Sequence, residues 1–395
     1  MRKHQYQARG TWEDYLYHDV IVESGKLRVK FRCCTWQEPR QRGIAHEMLP
    51  QSGINFSSFG ILSRQELTDS NMGSIPTVAI IYVVDPYHED AIAKLRSQRN
   101  LTVILPGDPR IKSYHTDATH ILVRSETTIG KEDLLKARNL KAIIKQGVGV
   151  DNIDLQAARR HGVIVCNTPG INSESVAELT LTLALSIARR VCEIDRRVRN
   201  GEKVIRSKTL GHSLFRKTIG VIGMGNIGRV VAKKWVGAME GKVIAYDPYS
   251  PDSAWDDMKE VQRTAQLGEL LEQADVVSLH VPLTEQTQGM IGKEEFAMMK
   301  RNAILINCAR GGIVDEEALL EALREGQILG AGLDAMEVEP PSLEKYGNTL
   351  LDHPGVIMTP HIGASTIENQ SRSGIAAVDI LCKLLRGEEV ESRLT

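Results

Sequence analysis

The chain reads as an α/β protein of two domains built on parallel sheets, and three observations carry that expectation. Its 395 residues exceed what one core of ordinary size encloses. Short apolar runs alternate with helical patterns in two series, one from Thr77 to Cys166 and another from Thr218 to Met358. The first of those runs, residues 77–84, is apolar without alternation, as a strand buried on both faces requires.

In order along the first series, the patterns predict a helix over 89–98, strands over 101–105 and 120–123, and a helix over 131–137. A strand over 141–145, a helix over 155–160 and a strand over 163–166 complete it. Pro169-Gly170 then interrupts the chain. One long helix is expected from Ser173, because Ser175 and Glu178 have capping-box spacing. Val176, Leu179, Leu183, Ile187, Val191, Ile194 and Val198 recur along it at helical intervals. That apolar face suits a core helix and a connector that also meets a partner chain equally well. The second series reads as strands at 218–222, 242–246, 276–280, 303–307, 329–333 and 356–358. A helix starts at Asn226, and a final one runs over 366–386.

Composition narrows the class of function. Lys and Arg total 49 against 50 Asp and Glu, so nothing global favours nucleic acid or an anionic membrane surface. No apolar run approaches the ~18–20 residues that span a bilayer. The six cysteines (33, 34, 166, 192, 308 and 382) show no CxxC pair and no metal-ligand spacing, which points to a reducing compartment, the cytoplasm, and to no metal. Residues 1–73 lack a sustained period and read as a poorly ordered extension, or as sequence upstream of a true start at Met72. Glu13, Asp14, Asp19 and Glu23 interrupt any transit-peptide pattern there.

Gly223-Met224-Gly225-Asn226-Ile227-Gly228 is a dinucleotide-binding loop in the right setting, after an apolar strand and before a helix. Its first glycine permits the tight turn, the second lets backbone approach a pyrophosphate, and Gly228 allows close helix–strand packing. The phosphate would sit on the helix N-terminus. Asp247 closes the next strand about 20 residues on, the spacing of the acidic residue that binds ribose hydroxyls. Such a carboxylate repels a 2′-phosphate, and Pro248-Tyr249-Ser250 offers no basic side chain to neutralise one, so NAD is expected rather than NADP.

Three further residues bring chemistry. Arg310 follows a strand and precedes Gly311-Gly312, where a guanidinium can grip a carboxylate bidentately and polarise an adjacent carbonyl. His361, between Pro360 and Gly363, has the side chain suited to proton exchange near neutrality. Glu339, if adjacent, would favour the imidazolium and raise its pKa. With a nicotinamide site, an anion clamp and a tuned histidine imply hydride transfer to a small 2-keto acid.

These segments, together with Gln146-Gly147-Val148-Gly149-Val150-Asp151-Asn152-Ile153-Asp154, Gly332-Leu333-Asp334, residues 337–341 and residues 361–366, resemble the D-isomer-specific 2-hydroxyacid dehydrogenases. That family includes D-3-phosphoglycerate dehydrogenase and glyoxylate/hydroxypyruvate reductase, and the resemblance covers about residues 75–390. It implies two Rossmann-like domains: a discontinuous, flavodoxin-like substrate domain (74–168 and 364–395) and an inserted NAD-binding domain (169–363), usually paired as a homodimer. It also implies Arg310, Glu339 and His361 as the catalytic set, with substrate contacts from Val148 and Gly149. Cofactor contacts would come from Gly223, Gly225, Asn226, Ile227, Gly228, Asp247, Thr287, Cys308, Ala309 and Gly363. Asp334 would lie near the nicotinamide amide, and His280, Val281 and Pro282 under the adenosine.

The chain departs from the family at Lys145, where relatives often carry arginine, and at Ala335-Met336, in place of Val-Phe. Arg124-Ser125 resembles the arginine some phosphoglycerate enzymes place near the phosphate, so a phosphoglycerate-type activity is expected ahead of glyoxylate or hydroxypyruvate reduction. The sequence ends soon after His361, so serine feedback through a regulatory domain is not expected. The co-repressors called C-terminal-binding proteins share the scaffold as non-catalytic NAD sensors, but they carry an aromatic residue soon after the histidine, where Gly363-Ala364-Ser365-Thr366 stands here. Formate dehydrogenases place glutamine at the position of Glu339. An inactive protein, its cleft blocked by the extension, is the remaining alternative.

Overall fold

The computed structural model describes Val20–Glu23, Lys26–Val29 and residues 78–395 other than Asp252. Strands β1 (Val20–Glu23) and β2 (Lys26–Val29) pair antiparallel, from Val20 opposite Val29 to Glu23 opposite Lys26. Otherwise the extension expected over 1–73, with Cys33 and Cys34, lies outside the described residues.

The body begins with β3 (Ala79–Val83), α1 (Glu89–Arg96), β4 (Leu101–Ile104), β5 (His120–Val123), α2 (Lys131–Lys136), β6 (Ala142–Lys145), α3 (Leu155–Arg160) and β7 (Ile164–Asn167). Its five strands are all parallel in the order β4-β3-β5-β6-β7, the flavodoxin-like winding. Successive residues of a strand face opposite sides, so β3 and its neighbours feed two cores. Ile81, Val83, Leu122 and Ile144 pack with Ala91 and Leu95 of α1 on one face. Tyr82, Ile121, Ile143 and Val165 pack with Leu134 and Ala157 on the other.

Two helices follow where the sequence predicts one: α4 (Ser173–Ala188) and α5 (Val191–Arg199). The amide of Arg190 closes on the Ile187 carbonyl at 3.0 Å, and Arg190 turns left-handed at φ 55°, which ends the first helix and redirects the chain. The predicted apolar face is divided accordingly. Val176, Leu183 and Ile187 are buried in the body's own core, whereas Val191 and Val198 stand more than half exposed. The expected capping box also fails, because the helix starts earlier: Asn172 is the N-cap, and the Ser175 hydroxyl donates to the Asn172 carbonyl.

The second series runs β8 (Thr218–Ile222), α6 (Asn226–Met239), β9 (Lys242–Tyr246), β10 (Val261–Arg263), α7 (Leu267–Gln273), β11 (Val276–Leu279) and α8 (Lys293–Met298). It continues with β12 (Ile304–Asn307), α9 (Glu316–Arg324), β13 (Gly330–Leu333), α10 (Leu343–Tyr346), β14 (Val356–Met358) and α11 (Ile367–Leu385). All seven strands are parallel in the order β10-β9-β8-β11-β12-β13-β14, which is the doubly wound dinucleotide-binding order with one added strand. Trp235 of α6 is fully buried beneath this sheet, and its indole N–H donates to the Lys217 carbonyl.

The C-terminal helix returns to the first sheet. Thr366 caps it, and Ala377, Val378 and Leu381 share the core of α1 and β3. Beyond it, Leu394 donates to the Val165 carbonyl at 2.8 Å, and Arg393 bridges Cys166 in antiparallel fashion at the sheet edge. Among the described residues, no helix is long and apolar enough to cross a membrane.

Candidate active site

Both sheets present their strand carboxyl ends at points where the strand order reverses, the position at which open α/β sheets bind ligands. In the seven-stranded sheet that point lies between β8 and β11. Gly223 there adopts φ 90°, and a Cβ on it would lie 2.6 Å from the His280 carbonyl oxygen. A Cβ on Gly228 would lie 2.0 Å from the Gly223 carbonyl oxygen, whereas one on Gly225 would meet nothing within 4 Å. Two glycines are thus demanded by protein contacts, and the middle one faces open space at the N-terminus of α6, as a pyrophosphate site requires. Asn226 and Ile227 form the first turn of that helix.

Asp247 ends β9 and is already engaged. Its Oδ2 accepts from the Met224 amide at 2.9 Å, and Oδ1 accepts from the amides of Tyr249 and Ser250. The carboxylate therefore ties the glycine loop to the following turn. Absence of a basic neighbour in the chain does not mean absence in space. Arg263, on the adjacent β10, donates to the carbonyls of Asp247, Ser250 and Pro251 and lies 4.6 Å over the Trp255 ring. Nothing in the sequence marks Arg263, because β10 is three residues long and not apolar.

The remaining predicted cofactor residues line the same edge through backbone. The His280 ring is turned inward to the Ser278 hydroxyl at 2.7 Å, and burial pushes its pKa down to about 3. Val281 abuts Gly223, and the Thr287 hydroxyl donates to the Pro282 carbonyl at 2.6 Å, closing that loop. Cys308 and Ala309 are buried, the Cys308 thiol pushed up to about 12 by burial.

After β14 the chain makes a tight loop that presents His361. Asp334, 2 % exposed at the end of β13, organises it. Its Oδ1 accepts from the Thr359 hydroxyl and the Ile362 amide, and its Oδ2 from the Gly363 amide at 2.8 Å. His361 sits in the left-handed region at φ 55°, uncommon for a residue with a side chain and a form of strain that collects at functional sites. Its Nδ1 is 2.8 Å from Glu339 Oε2, while Glu339 Oε1 accepts from the Met336 amide. The Glu339 hydrogen bond raises the imidazole pKa against the opposing pull of burial. Burial works against the Glu339 charge in turn, but the His361 bond, the Met336 amide and nearby Arg310 outweigh it and lower the carboxyl.

Arg310 leaves the end of β12. Asn307, 1 % exposed, fixes its turn by donating to the carbonyls of Arg310 and Ala335, while its own Oδ1 accepts from the Ala309 amide. The Arg310 Nε donates to Asp151 Oδ2 at 3.0 Å, which reaches across from the loop after β6. A Cβ on Gly149 would lie 1.8 Å from the Arg310 Nη2, so glycine is what lets that backbone lie against the guanidinium. The structure thus brings Gly149 of one sheet's loop to Arg310 of the other's, while the carbonyl of the preceding Val148 accepts from the Asn167 side chain at 2.8 Å.

Beside Arg310 the base of the site is cationic. Lys145 is 4 % exposed, with Nζ donating to the Gln146 carbonyl at 3.3 Å. Burial, joined by the charge of Arg310, brings its pKa down to about 8. Arg124 also acts on it, while Asp85 and Asp151 act in the opposite sense. Arg124 itself is anchored, its amide to Asp85 and its guanidinium to the Pro86 carbonyl. Asn152 donates to the carbonyls of Arg124 and Thr127, which joins this loop to the one carrying Asp151. Among the described residues, no group of His, Cys, Asp and Glu is arranged to hold a metal ion.

Residues 181–363 match the family model for the NAD-binding domain of D-isomer-specific 2-hydroxyacid dehydrogenases. A hydroxypyruvate reductase of Thermotoga maritima is 40% identical over 308 residues, covering 77% of this chain and 98% of that protein. A D-3-phosphoglycerate dehydrogenase of Methanocaldococcus jannaschii is 44% identical over 314 residues, covering 79% of this chain. The chain spans 58% of the length of that relative and of a second phosphoglycerate dehydrogenase, from Archaeoglobus fulgidus. Among solved structures, a D-lactate dehydrogenase of Aquifex aeolicus, complexed with NAD and lactic acid, superposes with a TM-score of 0.67. It is 31% identical, covering 78% of this chain and 96% of its own. The chain belongs to the D-isomer-specific 2-hydroxyacid dehydrogenase family, and its cofactor is NAD.

Proposed function

We propose that the protein is an NAD-dependent D-2-hydroxyacid dehydrogenase whose substrate is a phosphorylated three-carbon acid of the 3-phosphoglycerate type. The observation that carries the chemistry is the 2.8 Å pair of His361 and Glu339 in the same site as Arg310, which packs against Gly149. Arg310 clamps the substrate carboxylate with the help of backbone N–H groups at Val148 and Gly149, and its charge polarises the adjacent carbonyl. NADH, when bound on the glycine loop, supplies the hydride. His361 donates a proton to the oxygen as it becomes an alkoxide, and Glu339 keeps the ring in the protonated form that this step needs. The reverse reaction uses the neutral ring as base.

The cationic base supports the phosphorylated substrate. Lys145, Arg124 and Arg310 outnumber the Asp85 and Asp151 carboxylates that face them, and a second anionic group on the substrate would offset the remaining positive charge. Simple reduction of hydroxypyruvate is the second reading, favoured by the near-complete coverage of the Thermotoga maritima relative. Asp247 supports preference for NAD over NADP, since a 2′-phosphate there would meet a carboxylate.

The two sheets support a division into a substrate domain (74–168 with 364–395) and a nucleotide domain (169–363). The exposed apolar side chains of α5 fit the contact of a homodimer, and the unpaired Cys166, Cys192, Cys308 and Cys382 fit the cytoplasm. A spectrophotometric assay of NADH oxidation with phosphohydroxypyruvate, hydroxypyruvate, glyoxylate, pyruvate and an aromatic 2-keto acid tests the assignment. Turnover confined to acids without phosphate would replace the first reading with the second.

A further inference from the structure

The loop that carries Glu339 is held only in part by its own residues. Three consecutive backbone amides at its start each have a side-chain acceptor. Met336 donates to Glu339 itself, Glu337 to Glu316 Oε1 at 2.8 Å, and Val338 to the Tyr346 hydroxyl at 3.0 Å. The Tyr346 hydroxyl in turn donates to Glu316 Oε1 at 3.3 Å. Glu316 comes from the first turn of α9, and Tyr346 from the end of α10, so two helices converge on one stretch of backbone.

Both side chains are buried, Tyr346 at 1 % and Glu316 at 8 % exposure. Glu316 Oε2 has no protein partner. Keeping a carboxyl out of water with half of it unsatisfied is a poor way to stabilise a core, and an apolar side chain would avoid that cost. It would also leave the Glu337 amide without an acceptor. The charged and titratable groups acting on Glu316 are Glu337, Lys345 and Tyr346. Burial raises the Glu316 pKa against the pull of its two hydrogen bonds, and burial likewise raises that of Tyr346, which stays a phenol able to donate.

We propose that Glu316 and Tyr346 are positioning residues for the acid/base pair, fixing the backbone of Glu337 and Val338 so that Glu339 is delivered to His361. This assignment rests on the reading of His361 as the acid/base, and it predicts that the pair's geometry fails when either anchor is removed while substrate and cofactor contacts stay intact.

The full chain carrying Glu316→Ala, Glu316→Gln or Tyr346→Phe tests it with two readouts. NMR titration of the His361 ring, its signal assigned by loss in His361→Gln, needs no substrate. Steady-state kinetics separate kcat from KM. In Glu316→Ala and Tyr346→Phe the His361 pKa should fall toward the ordinary histidine value, and kcat should drop about 10–100-fold, the scale on which small misplacements act. KM and NADH affinity should stay within about twofold of wild type. Glu316→Gln keeps an acceptor for both donors and should restore most of kcat.

An unchanged His361 titration and kcat in folded Tyr346→Phe would overturn the proposal. So would equal losses in kcat, substrate KM and NADH affinity, which mark general disruption. If Glu316→Ala does not fold, Tyr346→Phe and Glu316→Gln decide. If the wild type turns over none of the keto acids, the functional reading fails, yet the titration still judges the positioning role.

Discussion

The Nε of Arg310 and the Oδ2 of Asp151 stand 3.0 Å apart although they belong to loops of different sheets. That contact closes the base of the site and aligns the guanidinium. It leaves Nη2 against Gly149 and sends Nη1 to the Ala309 carbonyl. Asp151 is mostly exposed, so the pair stabilises the fold little and matters for orientation. Asp151→Asn should raise KM for the keto acid with a smaller effect on kcat, and steady-state kinetics would show it.

Arg310 itself offers the sharper test. Arg310→Ala removes the clamp and the carbonyl polariser together, so KM should rise and kcat fall. Arg310→Lys should recover little, because an ammonium cannot make the bidentate contact. NADH binding, followed by fluorescence, should be intact in both.

His361 acts at the proton, so His361→Gln should lose roughly 10²–10⁴ in kcat with modest change in KM. The pH dependence follows from the sign of its shift. The folded pKa lies above the ordinary value of about 6.5, so the protonated ring persists above that pH, and keto-acid reduction is lost as pH rises through the raised pKa. Glu339→Gln removes the main cause of the shift and should move this falling limb to lower pH. A pH profile of kcat for the two proteins measures the displacement.

Lys145 titrates lower than a free lysine, at about 8, so its charge is present below that pH and lost above it. Affinity for a phosphorylated keto acid should therefore weaken above about pH 8 more than affinity for hydroxypyruvate. Lys145→Met should abolish that difference and raise KM selectively for the phosphorylated acid. Equal loss for both acids would assign Lys145 to the common carboxylate.

Asp247→Ala should relax the preference for NAD over NADP, read as the ratio of kcat/KM for the two. It should also weaken NAD binding, because the same carboxylate holds the Met224 amide of the glycine loop.

Much of this was legible in the sequence because strand ends and glycines leave local signatures. Both sheets apart from β10, the Gly223 loop, and the placing of Arg310, Glu339 and His361 beyond strand ends follow from apolar runs and the residues just after them. The break at Arg190 was not legible, because the apolar spacing of Val191 and Val198 continues through it. Left-handed backbone at an arginine has no sequence signal. Arg263 and the pair of Glu316 and Tyr346 were missed for a common reason. Each acts on backbone brought near only by folding. The one available hint was Asp315, whose side chain accepts from the Glu317 and Ala318 amides and marks the start of α9.

The most direct test of the central claim is NADH oxidation by wild-type protein with phosphohydroxypyruvate and hydroxypyruvate side by side, repeated with His361→Gln. The expected result is higher kcat/KM for the phosphorylated acid and loss of turnover with both acids in the variant. Binding of NADH without oxidation by either acid, or wild-type turnover in His361→Gln, would contradict the account.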